Sequence, residues 1–145
     1  LDYTTTDLNS PLADVKADIC KLPFKDNSFD VIFCNHVLEH IPDDDLAMQE
    51  LYRVLKPKGF AILQVPQDLN RDTTFEDDSI TDPKERAKIF GQYDHVRIYG
   101  RDYFKKLEEK GFIVKQILLA NQLSKEEIER YRINPTEVLP VCYKD

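Results

Sequence analysis

The stretch that most constrains this chain runs from Ser28 to Pro66, SFDVIFCNHVLEHIPDDDLAMQELYRVLKPKGFAILQVP, because it reads as strand, polar junction, helix, tight turn and strand. Phe29 to Cys34 is a nearly continuous apolar run of strand length, as expected of a strand buried on both faces of a parallel sheet. It stops at a crowd of polar residues, Asn35, His36, Glu39 and His40, placed at the carboxyl end of that strand, where open α/β sheets hold their ligands. Pro42 followed by Asp43, Asp44 and Asp45 opens a helix, since proline suits a first turn and carboxylates favour the positive end of the helix dipole. Ala47, Leu51, Val54 and Leu55 recur at helical spacing. Lys56 before Pro57 disfavours further helix, Gly59 supplies the turn, and Phe60 to Val65 is a second buried strand. Together these form one right-handed crossover of a doubly wound, mostly parallel α/β sheet.

The flanks extend the pattern. Leu1 to Thr6 reads as a short strand closing on Asp7, and Val15 to Ala17 as another closing on Asp18. About eight residues join them, short of the dozen that a parallel crossover requires, so either the connection is irregular or one strand is something else. Leu22, Pro23 and Phe24 form an apolar plug. Gln67 to Asp82 is acidic and aperiodic and reads as a solvated loop, part of a lid-like segment 67–100. Pro83 to Phe90 is a short helix capped by Thr81 or Asp82, and Asp102 to Lys110 is another, stopped by Gly111. Phe112 to Leu119 is a strand, Ser124 and Glu127 make a capping box for a helix to about Tyr131, and Val138 to Tyr143 is a last strand. Pro140 predicts an edge or a strand start there rather than a ladder interior.

A chain of 145 residues suits a single domain, 1–145. No apolar run approaches the ~18 residues of a membrane span and no signal pattern opens the chain, so a cytoplasmic protein with no membrane partner is expected. A net charge of −7 argues against nucleic acid, whose binding rests on clustered Lys and Arg. Cys20, Cys34 and Cys142 are too scattered for a disulfide framework or a cysteine zinc site and read as reduced. The glycines, Gly59, Gly91, Gly100 and Gly111, include no G-x-G, so no glycine-rich nucleotide loop is present, and a chain that opens on Leu1 in mid-pattern reads as cut.

Three segments together resemble a known family: Asp18 through LPF at Leu22 to Phe24, FDVIFCNHVLEHIPD at Phe29 to Asp43, and ELYRVLKPKG at Glu50 to Gly59. They are similar to class I S-adenosylmethionine-dependent methyltransferases, above all the group sharing the type 11 methyltransferase domain, and HVRIYGRDYFKKLEEKGF at His95 to Phe112 looks like that group's approach to its penultimate strand. The resemblance implies a Rossmann-like, doubly wound sheet whose last strand is antiparallel, with the first strand and its glycine-rich loop missing here, hence a domain truncated at its amino terminus. Lys58, where the family commonly has a second glycine, and the short link between Asp7 and Asp18 are further departures.

By the same resemblance the cofactor is S-adenosyl-L-methionine. Asp7 would accept hydrogen bonds from its ribose hydroxyls, Asp18 and Ile19 would meet its adenine, and Asn35 and His36 would lie beside the transferable methyl group. Read from residues alone, Asp7 and Asp18 are equally turn aspartates. Methyl transfer is an in-line displacement that chiefly needs a well-placed nucleophile, with base help where the acceptor is protonated. His40 and His95 are the candidate bases, or else packed structural histidines, and Glu39 would orient a histidine or bind substrate. His36, Glu39 and His40 would share one face if a helix began at the junction, but Pro42 places the helix later and no fourth ligand is apparent, so no metal is assigned. Arg97, Tyr93 and Tyr99 either recognise an acceptor or pack. The expected function is methyl transfer to a small-molecule acceptor, with the truncated chain itself a candidate for an inactive form; the alternative is a non-catalytic methyltransferase-like module whose open sheet binds a protein partner or a second copy in a homodimer. A dinucleotide oxidoreductase is disfavoured by the absence of G-x-G-x-x-G.

Overall fold

The computed structural model describes residues 2–145, so Leu1 of the first expected strand lies outside the described residues. In chain order the elements are β1 (Thr6–Asp7), β2 (Val15–Lys16), β3 (Phe29–Phe33), α1 (Asp44–Val54), β4 (Leu55–Ile62), β5 (Phe75–Glu76), α2 (Pro83–Phe90), β6 (Arg97–Ile98), α3 (Tyr103–Glu109), β7 (Ile113–Leu118), α4 (Lys125–Tyr131) and β8 (Val138–Tyr143). Short 3-10 turns occupy Leu38–His40 and Leu119–Gln122. The main sheet has four strands in the order β3-β4-β8-β7. β4 is parallel to β3, and β8 is antiparallel to both its neighbours, so β3, β4 and β7 run one way and the last strand alone opposes them. That is the direction pattern expected of a Rossmann-like sheet of the methyltransferase kind.

The central crossover forms for local reasons. Asp43 caps α1 by accepting from the Leu46 amide at 2.9 Å, and Ala47, Met48, Leu51 and Val54 face inward. With Leu38, Leu55, Leu63, Tyr99, Tyr103 and Leu107 these build the core. The turn between α1 and β4 differs from expectation. β4 begins at Leu55, directly from the helix, and the KPKG segment is an irregularity inside the strand: Phe29 pairs with Leu55, but Val31 pairs with Phe60. Lys58 takes a left-handed backbone at φ 64°, and a Cβ on Gly59 would stand 2.7 Å from the Asp30 carbonyl, so the glycine is needed for close approach rather than as a free turn. The ladder also ends at Ile62, three residues before Val65, although Leu63 and Val65 remain buried.

The apolar plug is held by Arg53 of α1, which donates to the carbonyls of Leu22 and Phe24 and pairs with Asp26 and Glu50. Glu50 in turn accepts from the Leu22 amide at 2.8 Å. The Arg53 hydrogen bond holds the Glu50 carboxyl below its usual range, against the opposing effect of burial.

Pro140 is not at an edge. β8 lies between β4 and β7, with Pro140 opposite Gln116. The Leu63 amide donates to the Pro140 carbonyl at 3.4 Å, and proline has no N–H to return to the Leu63 carbonyl. The Tyr103 hydroxyl donates to that carbonyl at 2.6 Å and replaces the missing strand donor, which is why an interior strand tolerates the proline. Burial raises the Tyr103 phenol well above its ordinary value and keeps it a donor.

β1 and β2 pair in parallel as a separate two-stranded sheet. The short link closes because the strands are only two residues each and Asp14 folds back, accepting from both the amide and the hydroxyl of Thr5. β3 also departs from expectation. Cys34 is buried and Ile32 half-buried, but Val31 and Phe33 are exposed, Phe33 by 68%, so the strand is covered on one face and not both. Gln67 to Asp82 is largely exposed, as a solvated segment would be, and carries local pairing within it. β5 pairs with β6, Asp68 and Asp72 bind Arg71 and Arg101, and Asp102 accepts from the amide and hydroxyl of Thr74. Among the described residues, no helix is long and apolar enough to cross a membrane.

Two measurements check these contacts. Tyr103→Phe leaves a buried carbonyl unpaired and should lower unfolding stability by about 1–3 kcal/mol in urea titration, with little change in helix content. Because the Glu50 carboxyl is depressed in the fold, its stabilising effect is complete above the ordinary glutamate value of 4.5 and is lost as pH falls through the lowered value; Glu50→Gln should flatten that part of the stability–pH curve.

Candidate functional site

The polar junction after β3 does not continue as an α-helix. Cys34 and His36 extend the contact with β4, donating to the carbonyls of Ile62 at 3.0 Å and Gln64 at 2.8 Å. His36 then turns left-handed at φ 55°, a conformation histidine adopts more readily than most residues. The 3-10 turn Leu38–His40 comes next, and regular helix waits for Asp44. His36, Glu39 and His40 therefore meet through a turn, not along a helix face. His36 Nδ1 is 3.5 Å and His40 Nε2 is 4.0 Å from Glu39 Oε1. Glu39 is 1% exposed, and neither of its carboxylate oxygens has a hydrogen-bond partner.

His95 joins from the connection between α2 and β6. Its ring packs edge-on against that of His40 at 4.7 Å between centroids. Its Nδ1 lies 3.1 Å from the Phe90 carbonyl, an acceptor only, so this contact calls for a proton on Nδ1. The Val96 amide donates to the Glu39 carbonyl at 2.9 Å and fixes this connection to the 3-10 turn. Asp94 approaches His40 Nδ1 at 3.3 Å. Burial works against the Asp94 carboxylate, but the Gln92 side chain and the neighbouring His40 hold it below its usual value.

The turn carrying Glu39 and His40 is clamped from below. Arg97, 3% exposed, donates to the carbonyls of Leu38, Ile41 and Pro42 and pairs with Glu76 at 2.9 Å and Asp44 at 3.6 Å. The Tyr99 hydroxyl bonds Asp44 at 2.7 Å, and Lys106 adds a contact to the same carboxylate at 3.2 Å. Arg97 and Tyr99 are thus packing and clamping residues, while Tyr93 is exposed. Sequence reasoning missed Asp44 and Asp94 as partners of this site. Asp44 looked like one more helix-opening carboxylate, and the only signal for Asp94 was its place beside His95.

A cleft of about 160 Å³ borders Glu39 and His95 and is closed by Gln67, Asp68, Phe90 and Arg97. A wider groove of about 790 Å³ adjoins it at Pro66 and Gln67 and is lined by His36, Gln64, Arg101 and Phe104. Asp7, Asp18 and Ile19 belong to the separate β1–β2 unit, and among the described residues no hydrogen bond joins them to the histidines. Asp7 Oδ1 accepts from the amides of Asn9 and Ser10, the Ser10 bond first, and these bonds hold its carboxyl below the ordinary value. Asp18 accepts from the Cys20 amide at 2.9 Å, and Ile19 packs against the core. All three cysteines are free, and burial pushes the Cys34 thiol up to about 12.

Residues 3–63 match the family model described as a methyltransferase domain. That match covers less than half of the chain, which over this stretch is similar to methyltransferase domains. It is 37% identical over 89 residues to an uncharacterized protein of Methanocaldococcus jannaschii, covering 61% of this chain and 36% of that one. It is 46% identical over 46 residues to a demethylmenaquinone methyltransferase of Streptomyces avermitilis, covering 32% of this chain and 20% of that one. The chain thus spans about a third or less of the length of these relatives. Its backbone is similar to that of an S-adenosylmethionine-dependent methyltransferase from Mesorhizobium loti, with a TM-score of 0.55 at 17% identity over 94% of this chain and 78% of that one. A similar match, TM-score 0.56 at 17% identity over 89% and 70%, is to the YcgJ protein of Bacillus subtilis.

Removing the clamp tests its role. Arg97→Met leaves Asp44 buried without its guanidinium and should cost about 3–5 kcal/mol by chemical denaturation. Arg97→Lys should recover little of it, because one ammonium cannot reach three carbonyls and two carboxylates in the same geometry.

Proposed function

We propose that this chain forms part of a domain that transfers a methyl group from S-adenosyl-L-methionine to a small-molecule acceptor. The observation that carries this is the junction of Asn35 and His36 at the carboxyl ends of parallel β3 and β4, opening on the wide groove, in a stretch that matches the methyltransferase family. The relatives named as methyltransferases of demethylmenaquinone and of sterols favour a small organic acceptor over a macromolecule.

The residues present fit the ribose and adenine end of the cofactor. Asp7 is exposed, its Oδ1 is taken by two amides, and its Oδ2 has no partner among the described residues, which leaves an ionised acceptor for a ribose hydroxyl at the carboxyl end of β1. Asp18 and Ile19 stand at the end of neighbouring β2, suited to the adenine amino group and ring. When bound, the cofactor supplies an electrophilic methyl on a positive sulfur. The chain's own task is then to orient the acceptor in line with that methyl, with Asn35 and His36 beside it and His40 and His95 able to take a proton from a hydroxyl acceptor. The methionine end has no glycine-rich loop to meet within this sequence. A cytoplasmic location accords with this reading.

The bare face of β3 favours a second reading, in which the chain is a non-catalytic module that pairs with another protein or a second copy. Titration calorimetry separates the two. S-adenosylmethionine should bind the chain, or a form extended upstream to include a glycine-rich strand and loop, and Asp7→Ala should weaken binding about tenfold or more. If the extended form binds neither S-adenosylmethionine nor S-adenosylhomocysteine, the methyltransferase reading fails.

A further inference from the structure

We propose that Glu39, His40 and His95 bind one divalent transition-metal ion, zinc above all. The ligand-capable atoms of Glu39, His40 and His95 lie within 4.8 Å of one another. Two donors of a tetrahedral zinc, each about 2.0–2.1 Å from the ion, stand about 3.4 Å apart, so a cluster in which His40 Nε2 and Glu39 Oε1 are 4.0 Å apart needs only a small contraction to close around an ion.

Three independent features favour an ion over packed structural side chains. First, Glu39 is buried with both oxygens unpaired, a costly arrangement that calls for a cation. A structural glutamate among three histidines would accept a hydrogen bond from at least one ring, yet none of the imidazoles donates to it; the 3.5 Å and 4.0 Å approaches of His36 and His40 lack hydrogen-bond geometry. Secondly, both imidazoles are held by the ring nitrogen that faces away from Glu39. The Phe90 carbonyl lies 3.1 Å from His95 Nδ1 and the Asp94 carboxylate 3.3 Å from His40 Nδ1, which leaves Nε2 of each ring as the nitrogen open to a ligand. An outer carboxylate or carbonyl behind each ligating histidine is the usual support of a metal site. Thirdly, the turn bearing Glu39 and His40 cannot easily relax, because Arg97 holds the carbonyls of Leu38, Ile41 and Pro42.

Two neutral imidazoles and one carboxylate suit zinc, whose open sites use this donor set, better than calcium or magnesium, which favour oxygen throughout. The remaining position would face the small cleft beside Gln67 and Asp68. Its role in chemistry rests on the methyl-transfer reading: a hydroxyl acceptor bound there would lose its proton more readily under the charge of the ion, which would then replace His40 and His95 as the means of deprotonation. The metal site itself does not depend on that reading.

The test is zinc binding by the chain with no methyl donor present. After stripping with a chelator, the wild type should take up one equivalent of zinc by elemental analysis, and cobalt in its place should give the visible absorption of a low-symmetry site. Glu39→Gln and His95→Gln should each weaken zinc binding about tenfold or more in competition with a chromophoric chelator, and Asp94→Asn should weaken it less. Metal-free Glu39→Gln should melt no lower than metal-free wild type, since it removes a buried unpaired charge, while losing the zinc-induced rise in melting temperature. Sub-stoichiometric zinc in the wild type, or undiminished affinity in Glu39→Gln and His95→Gln, would overturn the proposal. Neither result bears on calorimetry with S-adenosylmethionine, so the two readings fail separately.

Discussion

The Arg97 guanidinium is the interaction on which the site depends. A strand that ends at a sheet edge normally hands the chain to a helix, whose own hydrogen bonds set the direction of the backbone beyond it. Here the chain leaves β3 through a left-handed histidine and a single 3-10 turn, which satisfies the Leu38 carbonyl through the Ile41 amide but leaves the carbonyls of Ile41 and Pro42 without helical partners. Arg97 supplies those partners from a strand more than fifty residues further along, and Asp44 and Glu76 balance its charge. The price of a buried charge is thereby met on all sides. The same contact brings β6, and with it His95, over the turn.

The parts legible in the sequence are those governed by neighbours in the chain. Ser124 with Glu127 caps its helix as read, and Asp82, one of the two residues offered, caps another, because a cap is a contact over two or three residues. The apolar runs of β3 and β4 announced a crossover for the same reason. The parts that escaped depend on distant partners. Nothing near Pro140 says that a tyrosine on α3 will replace its missing donor, and nothing near Glu39 says that His95 will arrive beside it. The Gln67–Asp82 segment is exposed as read, but its pairing escaped because its arginine and Asp102 partners lie outside it or only a few residues away without periodicity.

The two small sheets and the main sheet meet the sequence differently. β1 and β2 carry the expected acidic ends, but they pair only with each other among the described residues, and the exposed Val31 and Phe33 mark a face of β3 that no described element covers. A strand with a continuous apolar run is built for burial on both sides. The one-sided cover therefore leaves Val31 and Phe33 as an exposed apolar face on a strand whose other side is packed on the core.

The left-handed backbone at His36 has a consequence for how such a site can vary. At φ 55° a β-branched or bulky apolar residue is strongly disfavoured, while glycine, asparagine, aspartate and histidine are tolerated. Backbone geometry thus restricts this position to a short alphabet of mostly polar residues before any chemistry is chosen. A histidine here is one letter of that alphabet, and the same backbone would carry an asparagine or a glycine without strain.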